Sequence, residues 1–306
     1  MLKKFFPLIL VIVILALIGG GIFLARNAYL DVKAKRIALE KRKASWVMLE
    51  SQIKQELNNF PGDVGIIIED LSSGWQIRIN ADKRFAAASL AKIPILAGAL
   101  LAVKDGKLSM QEKLRLKGEH KVLGSGQLKS FPSGLEFSLE KLFEFMIAAS
   151  DNTATNMVIS RFGMDYFEGS FKILGLKDTN LSRKMMDFRG RNRGRENYTS
   201  AKDISYLLEQ IYRGRLINPR YSRFCLELLK KQKIRDRIPA KLPEDVLVAH
   251  KTGLEKGVCH DAGIIFMPKT DILVCVLTKH HNGNAKPSKN FIARAARLAY
   301  NYGLSL

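Results

Sequence analysis

Cysteine is scarce in this 306-residue chain: Cys225, Cys259 and Cys275 are odd in number, far apart and form no C-x-x-C pair. That spacing speaks against a metal site, and no cofactor motif replaces it. Two redox states stay open, one disulfide with a free thiol or three reduced, partly buried thiols. Acidic residues are also in short supply. Fifty Lys and Arg against 29 Asp and Glu leave a formal charge of +21. So basic a chain favours an anionic neighbour: nucleic acid, an acidic lipid surface or a cell-wall polyanion. Nucleic acid is disfavoured, because zinc-finger spacing, an RNA-recognition signature and aromatics interleaved with the basic runs are all missing. Internal repeats and low-complexity segments are missing too. What is present is an ordinary globular composition, 47% hydrophobic and 26% charged, long enough for one large domain or two small ones.

Charge is missing altogether from Phe5 to Ala25, FFPLILVIVILALIGGGIFLA. A bilayer needs about 20 such residues, whereas a signal-peptide core takes about 7 to 15, and no A-x-A cleavage site follows. The expected layout is a short cytoplasmic tail (1–4), a transmembrane signal anchor (5–25), a basic juxtamembrane linker (26–44) and a folded domain (45–306). Cleavage of the leader and secretion of the domain is the alternative. Lys3 and Lys4 precede the span, but Arg26, Lys33, Lys35, Arg36, Lys41, Arg42 and Lys43 follow it. The positive-inside rule therefore opposes an extracytoplasmic domain, while the same basic residues suit anionic headgroups.

Helical spacing of Trp46, Leu49, Ile53 and Leu57 ends at Pro61-Gly62. VGIIIEDL and WQIRIN around Ser-Ser-Gly read as a hairpin. Residues 89 to about 240 read as mostly helical, broken by a polar, glycine-punctuated loop over 183–198. Strands return as VLVAHK, VCHDAGIIFM and DILVCVLTKH, before a helix from about Lys289 to Tyr302. Strands at both ends of the chain must meet to bury their faces. The predicted fold class is α+β: one five-stranded antiparallel sheet, terminal helices on one face and a helical part on the other.

RFAAASLAKIPILAGAL, from Arg84 to Leu100, buries a serine and a lysine three residues apart in an apolar run. An ammonium without a partner is expensive there. Ser89 and Lys92 share one side of a helix start, where unpaired N–H groups face any developing negative charge. A lysine that loses its proton on burial can accept the serine's. The bland alternative is a capping serine beside a solvated lysine. The same S-x-x-K spacing recurs at Ser51…Lys54 and Ser138…Lys141, on faces expected to be exposed. Ser150-Asp151-Asn152 between two helices reads alone as an N-cap, and Lys251-Thr252-Gly253 as a strand end before a turn.

Together the three resemble the S-x-x-K, S-D-N and K-T-G set of class A β-lactamases and related penicillin-recognising serine hydrolases, over roughly Trp46 to Leu306. The resemblance implies an active site between the sheet part and the helical part. Ser89 would be the nucleophile, Lys92 its proton acceptor, Ser150 a proton relay to the departing nitrogen and Asn152 an orienting amide. Lys251 and Thr252, with Gly253, would hold a substrate carboxylate. The N–H groups of Ser89 and Leu254 would form the oxyanion hole. Arg183 and Glu196 would close the long loop as an ion pair. In that loop the family's deacylating glutamate is replaced by Met185, which cannot act as a base, so Asp187 becomes the candidate, the alternative being a loop residue that only pairs with a local arginine. Many relatives carry an arginine on the strand after K-T-G. None stands between Val258 and Met267 here, which leaves Arg189, Arg191, Arg193 and Arg195 as candidates, the alternative being a solvated basic loop.

Three functions follow. The first is a membrane-anchored serine hydrolase opening β-lactams with slow deacylation. The second is a D-Ala-D-Ala peptidase acting on peptidoglycan stem peptides. The third is a cell-wall or β-lactam sensor without turnover. A monomeric catalytic domain outside the cytoplasmic membrane is expected in each.

Overall fold

The structure is a computed structural model, describing residues 6–280 and 283–306, without the side chains of residues 6–9, 11–14 and 16. Its first element, α1 (Phe6–Asn58), is a single helix of 53 residues. The linker expected over 26–44 and the helix expected from Trp46 are thus one element. Its continuity has a simple source: residues 22–60 contain neither glycine nor proline, and pairs such as Asp31–Lys35 at 2.6 Å support the exposed turns. Among the described residues no helix is long and apolar enough to cross a membrane. The span expected over 5–25 falls in part on residues whose side chains lie outside those described.

After α1 come β1 (Gly62–Asp70) and β2 (Trp75–Ile79), the predicted hairpin. The helical middle follows as α2 (Lys92–Lys104), α3 (Leu139–Ala148), α4 (Asn152–Phe162), α5 (Met164–Ile173), α6 (Phe188–Asn192), α7 (Ala201–Tyr212) and α8 (Pro219–Lys230). The chain returns through β3 (Val248–Glu255), β4 (Val258–Ile265) and β5 (Ile272–His280) and ends in α9 (Lys286–Leu304). One antiparallel sheet joins both ends of the chain in the order β2-β1-β5-β4-β3. Its central strands are apolar at nearly every position because both faces are covered. Ile66 and Ile68 face Trp46, Leu49, Ile53 and Phe291 of the terminal helices, whereas Ile67 and Cys275 face the helical middle. The three cysteines are free and buried.

The base of α1 is fastened to this body. Arg42 Nη2 lies 2.7 Å from Asp70 Oδ1, and the Tyr302 hydroxyl donates to Asp70 Oδ2 at 2.5 Å. Burial alone would push the Asp70 carboxyl up, but Arg42, Thr270 and Tyr302 outweigh it and hold it at about 2. Arg42, expected among residues facing headgroups, is instead part of the body.

Candidate active site

Ser89 lies in a one-turn 3-10 helix (Ala88–Ala91) that runs into α2. The segment ahead of it is held by His260 of β4, whose Nε2–H donates to Ala86 O at 2.8 Å while Nδ1 accepts the Thr278 N–H at 3.1 Å. Both ring nitrogens are engaged, so the buried imidazole must stay neutral. Burial pushes its pKa down to about 4. This gives a pH prediction. Protons bind the unfolded chain at about 6.5 but the folded one only near 4, so stability is full above about pH 6.5 and falls as the pH drops toward 4. The loss is about 3 kcal/mol. Urea unfolding at several pH values should show it, and His260→Leu should remove about one proton from that slope.

Lys92 is fully buried and has four polar neighbours. Its Nζ lies 2.7 Å from Ser150 O, 2.8 Å from Asn152 Oδ1, 3.0 Å from Ser89 Oγ and 3.1 Å from Ser150 Oγ. Two of these, the carbonyl and the amide oxygen, can only accept. They take both N–H groups of a neutral amine, and its lone pair is left for a hydroxyl proton. Burial, then the neighbouring Lys251, drive the Lys92 pKa far below that of an ordinary lysine, against an opposing pull from Asp151. Asn152 can hold this orientation because its Nδ2 donates to Leu123 O at 3.3 Å. Ser150 Oγ stands between two amines, 3.1 Å from Lys92 and 3.0 Å from Lys251. Lys251, also buried, donates to Thr252 O at 2.9 Å, and burial lowers its pKa to about 7.

The S-D-N segment also builds the cleft wall. Asp151 caps α4 through Ala154 N and accepts the Gln127 and Leu128 N–H groups at 2.7 and 2.9 Å. Gly126 makes this approach possible: at φ 100, a Cβ there would fall within 2.4 Å of Asp151 atoms. Ala88, Ser150 and Met186 adopt left-handed φ of 46, 54 and 62. Strain at such residues, about 1–3 kcal/mol each, persists only where surroundings enforce it.

A cavity of about 870 Å³ opens over Ser89, lined by Asn152, Met185, Met186, Phe188, Arg191 and Leu254 among others. Asn156 brackets the backbone of Met185, accepting its N–H at 2.8 Å and donating to its carbonyl at 3.1 Å. Arg183 and Glu196 meet at 2.7 Å. Asp187 does not line the cavity. Its carboxylate caps α6 through Gly190 N at 2.8 Å, the ordinary fate of an aspartate before a helix. Asp187→Ala is expected to cost about 1 kcal/mol in stability and to leave the lifetime of any Ser89 acyl-enzyme unchanged, as a label chase would report. Of the four loop arginines only Arg191 lines the cavity, and it is paired with Glu255 at 2.9 Å. The alternative S-x-x-K pairs are bland: Ser138 caps α3, and Lys54 pairs with Glu50.

Besides His260, three residues escaped the sequence reading. Glu255 joins Arg183 and Arg191 to the end of β3, and nothing in the sequence marks it. Arg237, fully buried with Nε 3.2 Å from Cys259 Sγ, adds positive charge that lowers the Lys251 pKa. Asn156 had a readable signal, an amide on the buried face of α4.

A family profile described as "Beta-lactamase enzyme family" matches residues 48–303. β-Lactamase SME-1 of Serratia marcescens is 27% identical over 256 residues, 81% of this chain and 86% of that one. The crystal structure of a β-lactamase from Sphaerobacter thermophilus superposes with a TM-score of 0.76 at 31% identity, covering 85% of this chain and 98% of that one. A PBP-A variant solved as its acyl-enzyme with penicillin G gives a TM-score of 0.78 at 28% identity, over 85% and 97%.

Proposed function

The chain belongs to the β-lactamase enzyme family, and from that premise we propose that it is a membrane-anchored serine hydrolase that acylates readily and deacylates slowly. Ser89 Oγ attacks the lactam carbonyl as Lys92 Nζ takes its proton. Ser150, between the two lysines, passes a proton to the departing nitrogen. The N–H groups of Ser89 and Leu254, both residues at the cavity wall, receive the oxyanion. Lys251, Thr252 and Gly253 hold the substrate carboxylate, with Arg237 adding to the positive field.

The observation that carries slow deacylation is the cavity wall. Met185 occupies the place of the general base. Among the described lining residues the one carboxylate is Glu255, and two arginines already engage it. The same wall favours a second reading, a D-Ala-D-Ala peptidase on peptidoglycan stem peptides that β-lactams trap.

The anchor is supported by the run Phe5–Ala25 and by Leu17, Ile18, Ile22, Phe23 and Leu24, all exposed on α1. Both substrate classes are met outside the cytoplasmic membrane, and there the domain is placed. Protease shaving of intact cells should degrade it; protection would overturn this placement.

A time course with a chromogenic cephalosporin tests the catalytic reading. One stoichiometric burst with stable label on Ser89 is expected. Sustained turnover would overturn slow deacylation, and absence of both burst and label would overturn the acyl-enzyme itself.

A further inference from the structure

Every residue of α1 from 17 to 41 is exposed. A helix that packs on nothing is marginal in water, because most helical stability comes from burying one face. This helix nevertheless holds Phe23, Leu30, Ile37 and Met48 in solvent at 62, 48, 61 and 62% exposure. Their places are regular. Phe23, Leu30, Ile37 and Ala44 recur every seven residues, and Asn27, Ala34, Lys41 and Met48 each stand four residues further on. Alternating steps of four and three trace one seam along the helix, the repeat of a two-stranded coil. We propose that α1 pairs along this seam with α1 of a second copy, parallel and in register, so that the protein is a dimer joined by its stalk. The parallel orientation rests on the anchor proposed above, since two copies sharing a bilayer point the same way.

The charges beside the seam select a second copy as the occupant. In a parallel coil the residue flanking one seam position faces the partner residue five places further along. Arg26 then meets the second copy's Asp31, and Glu40 stands beside the second copy's Lys41. Within one chain Asp31 holds Lys35 and Glu40 holds Lys43, but these exposed pairs contribute little and are readily shared. The surplus cations Lys35, Arg36 and Lys43 stand off the seam, and Arg42 is bound to Asp70. The seam itself carries Asn27 and Lys41. Polar residues at such positions cost stability but fix register and favour a definite strand number.

The rest of the helix surface is closed to a partner. Arg42, Trp46, Leu49 and Ile53 face the body, and at 3.6 residues per turn their line lies about 120° from the seam. A second stripe, Tyr29, Val32 and Leu39, is also exposed, but it runs into Trp46, which is packed against Trp75 and Tyr302. A helix seated there would collide with the body. The proposed seam instead stays open as far as Met48, beyond the point where the body begins, so two copies can pair with their catalytic domains splayed to either side.

The test uses the full-length protein reconstituted in lipid vesicles with lipid in large excess. Its three native cysteines are buried, so an introduced surface thiol is the reactive one. Leu30→Cys and Ile37→Cys, on the seam, should form a disulfide-linked dimer under a mild copper oxidant at least about tenfold faster than Val32→Cys, on the outer face, because pairing raises the local thiol concentration. Ile37→Lys added to Leu30→Cys should bring the rate down to that of Val32→Cys. All these positions are exposed, so the body should fold in each variant. Protein that floats with the vesicles but cross-links equally at all three positions overturns the pairing and leaves the anchor standing. Protein that does not float overturns the anchor, and with it the parallel pairing.

Discussion

Met185→Glu is expected to shorten the lifetime of the Ser89 acyl-enzyme by about a hundredfold or more, the scale of a positioned general base. The site is prepared for the exchange. Methionine and glutamate are close in length, and the Met185 backbone is clamped on both sides by Asn156, so the new side chain inherits a fixed origin on the cavity wall. A carboxylate there would be largely desolvated, which raises its pKa and strengthens it as a base. The decay of a fluorescent penicillin label after removal of free drug gives the rate. A folded variant whose label decays no faster would show that the position is not where water attacks. Met185→Leu separates shape from chemistry, because it should leave the decay slow.

Lys92→Arg should slow acylation by at least a thousandfold, about the full range of acid–base assistance. A guanidinium keeps its charge at any accessible pH, so it has no lone pair to offer Ser89. Lys92→Met should be as inactive for a different reason, having no nitrogen at all, and it is the safer variant to fold because it buries no charge. Stopped-flow labelling of both variants tests the assignment; near-native acylation by either would end it. Lys251 supplies the companion pH effect. Its pKa of about 7 means that its charge is present at lower pH and lost as pH rises through neutrality. The second-order rate constant for a carboxylate-bearing lactam should therefore fall between about pH 6 and 8. Lys251→Arg should flatten that limb.

The parts of this protein legible from sequence are those whose meaning is local or whose spacing is distinctive. Alternating and continuous apolar runs gave the five strands, and Ser89, Ser150 and Lys251 did converge, joined by hydrogen bonds through two amines. Asp187 stayed ambiguous because an aspartate before a helix and an aspartate facing water are written alike; the contact with Gly190 N makes it a cap. Glu255 and Arg237 were invisible for the opposite reason. Each acquires its role from partners 64 and 22 positions away, and no local pattern encodes such a meeting. Arg42 looked like one basic residue among seven until Asp70 and Tyr302 came to it.

The unbroken α1 bears on where the enzyme can reach. With residues 5–25 seated in a bilayer, as proposed, the 17 residues from Ala25 to Arg42 hold the body about 25 Å above it. A flexible linker of similar length would have much the same average extension, roughly 25 Å, but would let the domain roam from the lipid surface to more than twice that height. A stiff mast clamped at its top by Arg42 and Trp46 removes that freedom. The catalytic mouth then sweeps a thin layer parallel to the membrane, and the bonds available to Ser89 are those that lie in that layer.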